Sequence, residues 1–155
     1  MPLINTARGG IWIERLPTER VPLLIHGAGG QQSDWGEPLR ARGAAVDLPA
    51  HGNSPGAIRA SVADYAADVI ALLDALGLEQ ITVAGHSLGG AVALTLALDN
   101  AARVSGLILV STGAKLTVHP DILDNIRRDP AGVAARLSDW FWTAEVDAAL
   151  KRRKY

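Results

Sequence analysis

The sequence contains no cysteine. It therefore has neither a disulfide framework nor a thiolate metal site. That absence fits the cytoplasm, which is the expected compartment. Aromatic residues are few, with four Trp, two Tyr and one Phe. Three of these seven sit together at Trp140-Phe141-Trp142. Neither sign of charge dominates, since 15 Lys and Arg face 16 Asp and Glu for a net charge of −1. The basic footprint of a nucleic-acid partner is missing. No apolar run is long enough to span a bilayer, and no membrane partner is expected. Met1-Pro2-Leu3-Ile4-Asn5-Thr6 lacks the basic start and long apolar stretch of a signal peptide. No grouping of His and carboxylates has metal-ligand spacing, so no metal is expected.

What remains is a chain of 155 residues, 48% hydrophobic and 20% charged, enough for one core. Ile11-Trp12-Ile13 reads as a short strand. Val21 to Ile25 reads as a strand buried on both faces. Gln31 to Arg42 has Trp35 and Leu39 at helical spacing, with Ser33 and Asp34 as candidate caps. Ala44-Ala45-Val46 is a third strand. It is closed by the turn-rich loop Asp47 to Gly56, where Asp47 is expected to cap its own loop.

Ser61-Val62-Ala63-Asp64 is a capping box with Asp replacing the usual Glu. The helix it opens carries Val62, Tyr65, Ala66, Val69, Leu72, Leu73 and Leu76 on one stripe, and Gly77 ends it. A strand at Ile81 to Ala84, a helix to about Leu98 and a strand at Val104 to Val110 follow. Such alternation implies a mostly parallel sheet with helices on both faces and right-handed crossovers. After Thr112-Gly113 the pattern changes to three short helices, at Pro120 to Arg128, Ala131 to Trp142 and Ala144 to Lys154. The last ends in the cations Lys151 to Lys154, best read as a solvated helix end.

Gly85-His86-Ser87-Leu88-Gly89-Gly90 joins the Ile81 strand to its helix. Gly-x-Ser-x-Gly in that context marks a nucleophilic serine on a strained turn. Gly85 and Gly89 lack a Cβ and let strand and helix approach closely. Gly27-Ala28-Gly29-Gly30 also invites a nucleotide reading, but Gln32 stands where Gly-x-Gly-x-x-Gly needs its third glycine, and no Gly-Lys-Ser/Thr occurs.

Three motifs in order, His26 to Gly30, Asp47 to Ser54 and Gly85 to Gly90, resemble the α/β-hydrolase fold from about Ile11 onward. The closest look is to its esterase, enol-lactonase and C–C hydrolase branches. The resemblance implies a serine hydrolase that cleaves an ester, lactone or related acyl bond of a small molecule, without cofactor, through an acyl-enzyme on Ser87. It implies residues 1–113 as the front of the core and 114–155 as the start of a helical cap. The backbone N–H groups of Leu88 and Ala28 would form the oxyanion hole. His26, Gly27, Gly85, His86 and Gly89 would support the turn and loop, and Trp35 would either wall the substrate pocket or anchor its helix in the core. Dehalogenase and epoxide-hydrolase members carry Asp where Ser87 stands, which disfavours those reactions. Thioesterase and cofactor-free haloperoxidase activities stay open.

The triad order in this fold is Ser, acid, His. His119 is the only histidine after Ser87, and Ser111-Thr112-Gly113 supplies no carboxylate where one acid position would fall. His51 reads as a turn residue. The expectation is that residues 1–155 are the nucleophile-bearing part of a larger assembly. A second polypeptide or further sequence would carry the Asp and His, and the Val104 strand would be left as an apolar edge. The alternative is a non-catalytic ligand-binding or partner-dependent fragment on the same scaffold.

Overall fold

The apolar runs become the middle of a sheet. The computed structural model describes residues 2–140, and the chain divides into two units, Met1–Leu116 and Thr117–Tyr155. In the first unit, β1 (Leu3–Thr6), β2 (Gly9–Ile13), β3 (Leu23–Ile25), β4 (Ala44–Asp47), β5 (Ile81–His86) and β6 (Val104–Val110) form one sheet in the order β1-β2-β4-β3-β5-β6. From β4 through β6 all neighbours are parallel, while β1–β2 and β2–β4 are antiparallel.

β1 is absent from the sequence reading, which also starts β2 two residues late. The Thr6 hydroxyl closes the hairpin by donating to the Gly9 carbonyl at 2.8 Å and accepting from Arg8 N–H at 3.1 Å. β3 is shorter than expected. Pro22 has no N–H to enter the ladder, although its carbonyl still accepts from Ala44 N–H at 2.8 Å.

Side chains alternate across the strands, so each strand serves two layers. Leu23, Ile25, Ala44, Val46, Ile81 and Val83 join the main core with α2 (Val62–Ala75) and α3 (Leu88–Asp99). Leu24, Ala45 and Ala84 point the other way and pack with Trp35. At the start of α2, Ser61 Oγ accepts from Asp64 N–H at 3.1 Å. At its end, Gly77 N–H bonds Asp74 O at 3.1 Å and Leu78 N–H bonds Leu73 O at 3.0 Å, the paired C-terminal closure that a glycine past the cap permits.

The helix expected over Gln31 to Arg42 is split. Gln32–Trp35 is a 3₁₀ turn and α1 is only Gly36–Arg40. Gly36, the cap of the turn and the first residue of α1, has φ 59°, which interrupts helical geometry. The cap is Gln31 rather than Ser33, and Asp34 Oδ2 reaches back to accept from Gln31 N–H at 3.3 Å.

β6 is an edge. Its residues Leu107 to Val110 are between 37% and 48% exposed, unlike the fully buried β3 and β4.

In the second unit, α4 (Pro120–Asn125) and α5 (Pro130–Trp140) are the described elements. α4 ends three residues before the expected Arg128. The His119 Nδ1 caps α4 by accepting from Asp121 N–H at 3.2 Å. Phe141, Trp142, the helix expected at Ala144 to Lys154 and the Lys151 to Lys154 run lie outside the described residues. No helix among the described residues is long and apolar enough to cross a membrane.

Candidate active site at the strand–helix turn

β5 ends at His86 and α3 begins at Leu88, so one residue makes the turn. Ser87 has φ 50° and ψ −114°, a region that side-chain-bearing residues rarely occupy. Such strain costs about 1–3 kcal/mol and persists only where the surroundings over-determine it. Here they do. Ser87 N–H bonds the Val110 carbonyl at 3.1 Å, and the Ser87 carbonyl accepts from Gly90 N–H at 3.0 Å, Ala91 N–H at 3.1 Å and the Thr112 hydroxyl at 2.9 Å. The turn is thus held both by its own helix and by the end of β6.

The glycines fit because nothing larger would. A Cβ on Gly85 would fall on the Gly89 carbonyl, and a Cβ on Gly89 would fall on the Ile25 carbonyl. Gly90 faces the Thr112 side chain at similarly short range. As the first residue of α3, Leu88 has no intrahelical partner for its N–H, which lies at the positive end of the helix.

The loop after β3 lies beside this turn. Gly27 is buried, and a Cβ there would sit 3.0 Å from the His86 ring and 3.3 Å from Ser87 Cβ. His26 is fully buried. Its Nε2 accepts from Leu48 N–H at 3.0 Å, and its Nδ1 lies 2.7 Å from the Gly27 carbonyl. Burial pulls its pKa below the ordinary 6.5, against the Gly27 bond, Asp47 and Asp34, which favour the charged ring; the neighbouring His51 lowers it further.

Ala28 and Leu88 line one cavity of about 350 Å³, together with Gly29, His51, Ile58 and Tyr65. His51 reaches it from the β4 loop, with its ring 5.0 Å from that of His26 and 6.2 Å from that of Tyr65. Its Nδ1 lies 3.0 Å from the Pro49 carbonyl. Trp35 is elsewhere. It is 8% exposed, packs with Leu24, Ala45 and Ala84, and does not line this cavity. Of the two roles its position allows, the structure places Trp35 as a core anchor on Leu24, Ala45 and Ala84. Asp47, fully buried, accepts from Asn53 N–H at 2.8 Å within its own loop. It also accepts from Gln32 N–H at 2.7 Å, which ties the β3 and β4 loops together.

Two features escape the sequence reading. Thr112 enters it only through the lack of a carboxylate, yet its hydroxyl holds the Ser87 carbonyl. Asp68, on the buried side of α2, is 1% exposed and pairs with both Arg8 and Arg59, each at 2.7 Å. Arg59 also donates its backbone N–H to the Tyr65 hydroxyl at 3.2 Å, so this cluster anchors one wall of the cavity. The available signal is that Asp68 falls three residues after Tyr65 and four before Leu72, in line with the apolar stripe of α2.

The model of the α/β hydrolase fold family matches residues 23–142. Over 105 residues the chain is 41% identical to "Putative carbamate hydrolase RutD" of Variovorax paradoxus, covering 63% of this chain and 40% of that protein. It superposes on a thermophilic esterase with a TM-score of 0.78 and 32% identity, covering 94% of this chain and 56% of that one. It superposes on the enol-lactonase from Burkholderia xenovorans with a TM-score of 0.76 at 21% identity, covering 98% and 62%, a likeness of fold alone. The chain thus spans about 40% of the length of the first of these relatives. With a family match over most of its length and a sheet that superposes on these structures, the chain belongs to the α/β hydrolase fold family.

Proposed function

We propose that this chain is the nucleophile-bearing part of a serine hydrolase that cleaves an ester, lactone or related acyl bond. The observation that carries the reading is the strained Ser87 turn, whose next residue, Leu88, lines one cavity with Ala28. Ser87 Oγ attacks the acyl carbon and its proton passes to a base. The carbonyl oxygen, now an anion, accepts from Leu88 N–H and Ala28 N–H, donors fixed before the reaction begins. Collapse expels the alcohol with a proton and leaves an acyl-enzyme on Ser87, which water hydrolyses. The similarity to an esterase at 32% identity supports acyl chemistry.

His26 is unsuited to be the base, because its ring nitrogens contact the Leu48 and Gly27 main chain. His119 uses Nδ1 to cap α4. We assign the triad acid and base to polypeptide beyond this chain, which pairs along β6. The exposed Leu107 to Val110 edge supports that assignment, since long uncovered apolar edges invite pairing. We further propose that residues 114–155 belong to a cap and that the protein works in the cytoplasm, with which its lack of cysteine is compatible. A fluorophosphonate probe applied to the whole protein tests the catalytic claim. Labelling that Ser87→Ala abolishes supports it, and absence of labelling favours a binding role for the cavity.

A further inference from the structure

The two bonds of the buried His26 ring fix its chemistry. Leu48 N–H can only donate, so Nε2 must accept and carry no proton. The ring is therefore neutral, with its proton on Nδ1, and donates to the Gly27 carbonyl 2.7 Å away. Gly30 N–H donates to the same carbonyl at 3.1 Å. That carbonyl is thus turned inward by two donors.

The next group along the chain is the Ala28 N–H. The Gly27–Ala28 peptide is trans, and a planar trans peptide directs its C=O and N–H to opposite sides. Turning the Gly27 carbonyl toward His26 therefore turns the Ala28 N–H away from it, and Ala28 lines the cavity it shares with Leu88. From this geometry we infer that His26 is a positioning residue for acyl transfer: its Nδ1–H sets the Gly27–Ala28 peptide plane and so aims the Ala28 donor at the acyl oxygen. The Leu48 bond holds the ring in the tautomer that can do this. The inference rests on the serine-hydrolase reading, and it assigns the two ring nitrogens separate tasks.

Separate tasks permit a separating test. The amide nitrogen of an asparagine side chain falls near the place of Nδ1, whereas that of a glutamine reaches toward Nε2; the variants are therefore His26→Asn and His26→Gln. In the whole protein, the rate constant and the binding constant for inactivation by a fluorophosphonate are measured for each. Because loss of one oxyanion donor costs about 10²–10³ in rate, His26→Gln is expected to slow the chemical step by about tenfold or more with its binding constant nearly unchanged. His26→Asn is expected to recover most of that loss, although both variants lose the buried ring. Ala28→Pro, which deletes the donor, should be as slow alone as when combined with His26→Gln, since residues acting through one group are not additive.

Equal rates for the Asn and Gln variants, or additive losses with Ala28→Pro, overturn the proposal while leaving the nucleophile intact. An unsubstituted protein that takes no probe overturns the hydrolase reading and the proposal with it. If the variants do not fold, ¹⁵N shifts of the His26 ring in the unsubstituted protein decide. A protonated Nδ1 with a bare Nε2 supports the inference, and the opposite tautomer overturns it.

Discussion

The Thr112 hydroxyl donates to the Ser87 carbonyl oxygen across 2.9 Å, joining the end of the β6 segment to the turn that bears the nucleophile candidate. The bond lies at a residue whose φ of 50° is costly for a side chain. Thr112→Val keeps the shape and removes the donor. Because the carbonyl retains two helix N–H donors, we expect a loss of about 1 kcal/mol in urea unfolding. The rate of Ser87 labelling should also fall, since the strained turn loses one of its restraints.

The close approach of β3 to α3 makes a sharper prediction. Gly89→Ala puts a methyl group onto the Ile25 carbonyl, a backbone atom that cannot swing aside. We expect destabilisation of at least ~3 kcal/mol, the upper range for overpacking, read as a drop in urea midpoint. Gly29→Ala serves as the comparison. Nothing lies within 4 Å of a Cβ there, and only its φ of 67° resists the change, so the loss should be about 1 kcal/mol.

Asp68 carries the third. It is 1% exposed and accepts from Arg8 and from two nitrogens of Arg59. Asp68→Asn removes the charge and leaves two guanidinium groups facing each other's space. Removal of one partner from a buried pair costs about 3–5 kcal/mol. Both arginines reach solvent here, so about 2 kcal/mol is expected. The melting temperature checks this. Because Arg59 N–H meets the Tyr65 hydroxyl at the cavity wall, binding of long acyl chains should weaken more than binding of short ones.

The fourth concerns pH. Burial holds His26 below its ordinary pKa of 6.5, so the folded protein takes up this proton less readily than the unfolded chain. Its contribution to stability is complete above 6.5 and falls as the pH drops through 6.5 toward the lower folded value. The groups facing it are His51, Asp47 and Asp34. Melting temperatures between about pH 7.5 and 5 should decline, and the decline should be shallower in His26→Asn.

Much of the central sheet was legible because its signals are local. Leu23 to Ile25 and Ile81 to Ala84 are continuous runs, and the glycines at 85, 89 and 90 sit beside them in the chain. Ser61 and Gly77 bracket α2 by capping rules that act within a turn of helix. The features that were missed depend on distance or on a single conformation. β1 is four residues long and gains its order from pairing with β2. The helix through Trp35 looks continuous by spacing, but a positive φ at Gly36 splits it, and the packing of Trp35 against Leu24, Ala45 and Ala84 depends on strands distant in the chain. Asp68 meets Arg8 across 60 residues of chain, beyond any local pattern. The tautomer of His26 is likewise set by Leu48, 22 residues away.

The decisive measurement is the intact mass of the whole protein after fluorophosphonate treatment, followed by mapping of the modified peptide. One phosphonyl group per molecule on Ser87, absent from a folded Ser87→Ala variant, is the expected result. A folded protein that stays unmodified, or one modified at another residue with Ser87 untouched, contradicts the assignment of Ser87 as the nucleophile.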